Sequence, residues 1–353
     1  MIKRPSRQIS EFREPSKNWL DKNEVHNIEL HEFLVQQISS CPTRTFSSYP
    51  DLNKSYKLLS DFLSVPIDQL YIGNGSDAII KSVFENFVTT SDAIFFRTPT
   101  FAMYEIYSVY FQASAINFSY QFDIYSYDFS WDYELFETSI LRKKPAIIFL
   151  ANPDSPTGSY FSEDYMVRLL LIAKKVQSIV CIDAVYDSFA PTPLDYRRLS
   201  KEFDNFIIIY SASKSWGLAG IRLGFSIAAP KLNYKLHRSR PMYEIGSLQS
   251  FIFDQILQNE DMRKSTIAKV CSNKQKIETG IRETKTKVVD TVGNFILFED
   301  HPFVSQSLSS TSVIRNAWDS GPMKGLARIS VSADMDCQSI IETFEKNSEV
   351  KID

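Results

Sequence analysis

Ser211-Ala-Ser-Lys214-Ser-Trp-Gly217-Leu-Ala-Gly220-Ile-Arg222-Leu-Gly224 directly follows an apolar run of β type, Phe206 to Tyr210. A lysine set among small residues just past a strand end is poorly placed as a surface charge. It is well placed for a Schiff base, in which the amine must approach a carbonyl closely. The hydroxyls of Ser211 and Ser213 and the guanidinium of Arg222 can hold a dianionic phosphate by charge-assisted hydrogen bonds. The glycines let backbone and a bound group meet. Taken alone, the stretch also reads as a strand-turn-helix junction carrying a solvated lysine, the ordinary situation for a lone lysine. The rest of the chain decides between the two.

Working backwards, strand and helix signals alternate. Ala146 to Leu150 is a continuous apolar strand, followed by Asn152-Pro-Asp-Ser155-Pro156-Thr157-Gly158 and an amphipathic helix from about Ser162 to Val176. Ser178 to Asp183 is a second strand, ending in Ala184-Val-Tyr186, and Phe206 to Ser211 is a third. Continuous apolar strands alternating with helices predict an α/β fold with a mainly parallel sheet covered on both faces. Ser155, Asp183 and Lys214 then fall at or just past the C-terminal strand ends, where open α/β sheets place their ligands.

Upstream, Tyr71-Ile-Gly73-Asn-Gly75-Ser76-Asp77 precedes a helix with Ile79, Val83 and Phe87 on one face. A glycine turn opening a helix offers unpaired N–H groups and a positive dipole end to a phosphate. A dinucleotide fingerprint is the competing reading, but the third glycine is absent and no strand of proper length is expected before it. Ala93 to Phe96 reads as a short buried strand leading to Pro99-Thr100-Phe101. Leu30 to Ile38 and Leu58 to Val65 read as helical. Downstream, one long helical region from Ser247 to about Lys285 has a polar middle at Asn259 to Lys264. Short strands at Asn294 to Glu299 and Ala327 to Val331 and a helix over Asp336 to Lys346 follow. The expected division is a large α/β domain over 46–245 and a small α+β domain built from 1–45 and 246–353.

Composition narrows the function classes. With 44% apolar and 23% charged residues, the chain reads as an ordinary soluble protein. A net charge of -3 and the lack of a dense basic run argue against nucleic-acid binding. The 4 cysteines have no CxxC spacing and the 4 histidines are far apart, so reduced thiols, a cytoplasmic location and no metal are expected. The basic N-terminus lacks the apolar region of a secretory signal, and no run approaches membrane-spanning length.

The Lys214 stretch resembles the pyridoxal-phosphate (PLP) lysine motif of fold-type I aminotransferases, S-x-S-K-x-x-G-L-x-G-x-R-x-G. The resemblance runs nearly end to end and is greatest to the histidinol-phosphate branch. Leu20-Asp-Lys-Asn23-Glu24 is similar to that branch's opening segment, Ser48-Tyr49-Pro50-Asp51 to its Tyr-Pro-Asp element, and Gly73 to Asp77 to its phosphate cup. The resemblance implies a fold-type I PLP-dependent transferase and a role for each matched position. Lys214 would carry PLP and act as the base, with a pKa lowered by the cationic ring and by burial. Asp183 would pair with the pyridine nitrogen and keep it protonated. Tyr186 would donate to the cofactor's phenolic oxygen. Ser76, Asp77, Ser211, Ser213 and Arg222 would hold the phosphate, and Phe101 would stack on the ring. Tyr49 would reach the phosphate of a second copy in a homodimer. Arg328 would grip the substrate carboxylate, with Arg315 as a second anion-binding arginine and Asn23 beside the substrate.

Two departures stand out. Ser155 occupies the family's asparagine position, whose amide donates to the cofactor's phenolic oxygen; its loss should raise the pKa of the lysine–cofactor linkage. The usual Asp-Glu-Ala-Tyr is Asp183-Ala-Val-Tyr186, with the aspartate–tyrosine spacing intact. The resemblance implies an aminotransferase acting between an amino donor such as glutamate and an oxo acceptor, with histidinol phosphate and 2-oxoglutarate as the leading pair. A PLP-dependent decarboxylase of the threonine-phosphate type and a non-catalytic PLP-fold binding protein remain the alternatives.

Overall fold

The computed structural model describes residues 14–348. The basic stretch before residue 14, read above as no secretory signal, lies outside the described residues. Seven strands form the central sheet: Leu70–Gly73 (β1), Ala93–Thr98 (β2), Ser114–Ser119 (β3), Ile147–Ala151 (β4), Ile179–Asp183 (β5), Phe206–Ser211 (β6) and Gly224–Ala228 (β7). Their order is β1-β7-β6-β5-β4-β2-β3. Only β7 runs antiparallel to its neighbours. The sheet is thus α/β and mainly parallel, as the apolar runs imply. Period-two alternation divides the central strands between two helical layers. Phe206 and Ile208 join one core with Leu150, Leu169 and Ile182. Ile207 and Ile209 join the other with Ile79, Val83, Phe84 and Phe149.

Three sequence expectations need correction. A strand does lead into the motif: β1 is short, ends at Gly73 and stands at the sheet edge, paired only with β7, which is far away in sequence. The missing third glycine alone therefore argues against a dinucleotide site. The helix expected from Leu58 starts at Asn53, because Ser55 and Leu59 lie on the same buried face as Leu63. The long helical region is two helices, Ser247–Leu257 and Glu260–Glu283, broken where Asn259 leaves helical geometry.

A separate three-stranded antiparallel sheet holds Val288–Val289 (β8), Phe295–Glu299 (β9) and Leu326–Ser330 (β10). Its core combines Leu20 and Val25 from the N-terminal segment with Val270, Ile277, Ile296, Ile329 and Phe344. The helix Ser247–Leu257 packs elsewhere: Ile252, Phe253 and Ile256 lie with Leu70, Ile72, Phe225 and Ile227. The core built on the central sheet therefore extends past the boundary expected at 245. Cys181 and Cys337 are buried and all cysteines are free. Among the described residues, no helix is long and apolar enough to cross a membrane, and no group of side chains is arranged to hold a metal.

Candidate active site

The C-terminal end of the sheet gathers the motif residues. Gly224, at the start of β7, pairs with both Gly73 and Ser211, so the ends of β1 and β6 flank it. The helix Gly75–Phe87 opens immediately after β1. It starts against the sheet only because Gly224 has no side chain. A Cβ there would lie 2.6 Å from Ser76 N. Gly75 is left-handed, φ +79°, and a Cβ on it would lie 2.7 Å from Nη2 of Arg222. Arg222 is itself left-handed at φ 58°. Its Nη1 donates to Ser213 Oγ at 3.5 Å and to Ala219 O at 3.3 Å. Ser211 Oγ accepts from Ser213 N, and Asp77 accepts from the Tyr107 hydroxyl at 3.2 Å. Helix N–H groups, hydroxyls and a guanidinium thus surround a corner that glycines keep open, a donor set that fits a dianionic phosphate.

Beside this corner, Asp183 ends β5 and is buried. Tyr104 donates to its Oδ2 at 2.8 Å. Burial raises the Asp183 carboxyl to about 6, Asp154 adds to the rise, and the hydrogen bonds from Tyr104 and Val185 and the charge of Lys214 only partly oppose it. A cationic ring nitrogen would supply the counter-charge this carboxylate lacks. Lys214 is half-buried, with Nζ 5.7 Å from the centre of the Tyr186 ring. That Nζ donates to the carbonyls of Lys22 at 2.8 Å and Asn23 at 3.0 Å. The segment supplying them is held by Leu20 N to Val313 O and Ser330 N to Leu20 O. Its preceding carbonyl, Asp21 O, accepts from Arg328 Nη2 at 2.8 Å.

Asn23, expected beside substrate, is only 2% exposed. Its Nδ2 donates to the Tyr186 hydroxyl at 2.8 Å. Arg328, in β10, donates through Nη1 to Ser155 Oγ at 3.3 Å, while its buried Nε has no partner. Burial lowers this guanidinium's proton affinity and Arg315 adds to the effect, a cost that a bound anion would reverse. Arg315 N donates to Arg328 O at 3.1 Å and Arg328 N to Arg315 O at 2.9 Å. Directly opposed residues of an antiparallel bridge share a face, so the two arginines stand side by side. The Arg315 guanidinium also lies 5.0 Å from the Trp318 ring. Phe101 is part-exposed and edge-on to Tyr104 at 5.7 Å. Tyr49 is set apart from this cluster, 78% exposed and stacked on Tyr243 at 4.3 Å.

Sequence reasoning passed over one pair that positions the site. Arg97 and Asp154, both fully buried, form an ion pair at 3.4 Å. Arg97 is enclosed by the rings of Phe161 (3.9 Å), Tyr120 (4.6 Å) and Trp131 (4.7 Å). Asp154 also accepts from Thr100 Oγ1 at 2.7 Å and the Tyr120 hydroxyl at 2.8 Å. It thereby ties the loop of Ser155 to the loop of Phe101. Tyr104, which holds Asp183, was also passed over. An arginine directly after the apolar Ala93–Phe96 run, within the same strand, was a legible signal, since such a charge is buried only with a partner.

The model of the aminotransferase class I and II family matches residues 15–345. A histidinol-phosphate aminotransferase of Ruminiclostridium cellulolyticum is 28% identical over 345 residues, covering 95% of this chain and 91% of that protein. Histidinol-phosphate aminotransferase from Sinorhizobium meliloti, solved with pyridoxal-5'-phosphate, superimposes with a TM-score of 0.79 at 18% identity, covering 94% of this chain and 91% of the other. L-threonine-O-3-phosphate decarboxylase from Porphyromonas gingivalis has the same fold, with a TM-score of 0.73 at 18% identity, covering 94% and 99%.

Proposed function

The chain belongs to the aminotransferase class I and II family and uses PLP, and on that premise we propose that it moves an amino group between histidinol phosphate and 2-oxoglutarate, giving the oxo counterpart of histidinol phosphate and glutamate. One observation carries the choice of substrate. Arg315 and Arg328 stand side by side, and the buried Nε of Arg328 lacks a partner. Two adjacent cations suit substrates that carry a carboxylate or phosphate besides the amine.

Bound PLP supplies an electron-accepting ring, which makes a proton on the substrate Cα removable. The side chains divide the remaining work. Ser76 and Asp77 at the helix start, Ser211, Ser213 and Arg222 hold the phosphate, and Phe101 covers the ring. Asp183 keeps the ring nitrogen protonated, and Tyr186 donates to the phenolic oxygen. Lys214 would hold the group through Nζ and would move a proton at the substrate Cα; the carbonyls of Lys22 and Asn23 hold its free amine. Arg328 takes the substrate anion, with Ser155 against it. We further propose a homodimer in the cytoplasm, its small domain formed from both ends of the chain. Tyr49 would reach the phosphate of the second copy. In support, Tyr49 projects from a surface that also exposes Phe46 and Met242.

An absorbance spectrum before and after L-glutamate, then histidinol phosphate, tests the reading. Conversion of the bound cofactor to its amine form by both donors is expected. CO2 release without that conversion would make the protein a decarboxylase, and neither response would make it a binding protein. An unchanged visible band in Lys214→Ala would remove the cofactor assignment.

A further inference from the structure

Ser155 leaves the cofactor's phenolic oxygen without the amide donor expected at that position, and the structure brings another amide close by. Asn23 is buried and left-handed, φ 54°. Its backbone N–H donates to Ser330 Oγ at 2.7 Å, and its Oδ1 lies 3.2 Å from the same hydroxyl. Ser330 Oγ has Leu20 O at 2.8 Å as the other acceptor for its one proton, and in this orientation the carboxamide turns Oδ1 to Ser330 and Nδ2 to Tyr186. Its Nδ2 then donates to the oxygen of Tyr186. A phenol has one proton, so an oxygen that accepts from Asn23 is left to donate that proton elsewhere. Meanwhile Ser155 Oγ accepts from Arg328, which draws it toward the substrate anion.

We propose that Asn23 is a positioning residue that orients the Tyr186 hydroxyl as a donor to the cofactor's phenolic oxygen, offsetting the asparagine replaced by Ser155. The proposal rests on the reading of Tyr186 given above. Donation from Asn23 polarises the phenol and makes it a stronger donor, as chained hydrogen bonds do. The same residue's carbonyl accepts from Lys214 and from Asn294 Nδ2 at 3.2 Å. Asn23 thus couples the lysine, the tyrosine and the C-terminal sheet through one side chain and one peptide.

The test is the pH midpoint of the bound cofactor's absorption change, together with the PLP dissociation constant from equilibrium dialysis. Donors to the phenolic oxygen stabilise its charged form, so their loss raises the midpoint. Asn23→Gly keeps the left-handed backbone and removes only the amide. It should raise the midpoint by part of the shift seen in Tyr186→Phe, which is about one to two pH units for a hydrogen bond to a charged group. Asn23→Asp replaces the donor with an acceptor. The Tyr186 proton then turns to the carboxylate, and the shift should match that of Tyr186→Phe. In the Tyr186→Phe background Asn23→Gly should add nothing. PLP should bind more weakly in each single variant. An unmoved midpoint in Asn23→Gly, or an equal shift with and without Tyr186, would overturn the proposal. If Tyr186→Phe itself leaves the midpoint unmoved, the reading of Tyr186 falls first and takes the proposal with it.

Discussion

Replacing Arg97 by methionine keeps an unbranched stem among the rings of Tyr120, Trp131 and Phe161 but removes the cation from Asp154. Both partners are 1% exposed or less. Breaking such a pair leaves a buried charge and costs about 3–5 kcal/mol, more than the pair itself contributes relative to an apolar core. Some relief comes from Thr100 and Tyr120, which still donate to the carboxylate, and from methionine's own contact with the rings. Asp154 can also take up a proton. Burial already raises its pKa, and Arg97 is the largest influence opposing that rise. Without Arg97 the folded value climbs further above the unfolded value of about 3.9. For a carboxyl raised in this way, stability is present at low pH and lost as the pH rises through the folded value. The deficit of Arg97→Met should therefore be larger at pH 8 than at pH 5. Urea unfolding of the cofactor-free protein at both pH values measures it, with Asp154→Asn and the double variant completing a cycle. The double variant should be less destabilised than the two single losses added together. Equal deficits at the two pH values, or additivity within about 0.5 kcal/mol, would refute the reasoning.

Three further outcomes follow from the geometry. Burial pushes Asp187 up to about 7, opposed in part by Leu194 N–H and Arg263; a rise from 3.8 to about 7 makes about 4 kcal/mol of stability, present at acid pH, drain away progressively as the pH rises from about 4 to about 7. Asp187→Asn should flatten that loss in a urea titration from pH 4 to 8, and an unchanged slope would rule it out. Gly224→Ala places a Cβ 2.6 Å from the backbone of Gly75 and Ser76; it should cost about 1–3 kcal/mol of stability and weaken PLP binding, and wild-type affinity by dialysis would contradict the phosphate corner. Arg328→Lys gives up the planar fork that matches an anion, so KM for glutamate should rise about 10- to 100-fold with a smaller change in kcat, and an unchanged KM would move the carboxylate site elsewhere.

Much of the site was legible because its residues sit in compact stretches. Ser211 to Gly224 carries the lysine, two hydroxyls and the arginine within one loop between adjacent strands. Asp183 and Tyr186 are likewise set by the end of one strand. The hidden parts depend on pairings between distant segments. β1 has only four residues and pairs with β7, so no local pattern announced it. Asn23 reads in sequence as one polar residue of an N-terminal segment, yet its partners are Tyr186 and Ser330. In sequence the break at Asn259 shows only as a polar middle, because a polar stretch on a helix surface and a helix break look alike until packing separates them.

By itself, then, the sequence determined the alternation of strands and helices, the mainly parallel sheet and the chemistry carried by each loop, because side-chain periodicity and short-range spacing act within a single element. Only the tertiary structure decided which loops meet. The glycines at 75 and 224 let a helix start touch the Arg222 loop, and a buried ion pair joins the loops of Phe101 and Ser155. The N-terminal segment lays three successive carbonyls between Arg328 and Lys214. These contacts depend on the positions of groups far apart in the chain, and burial is what makes each pairing obligatory.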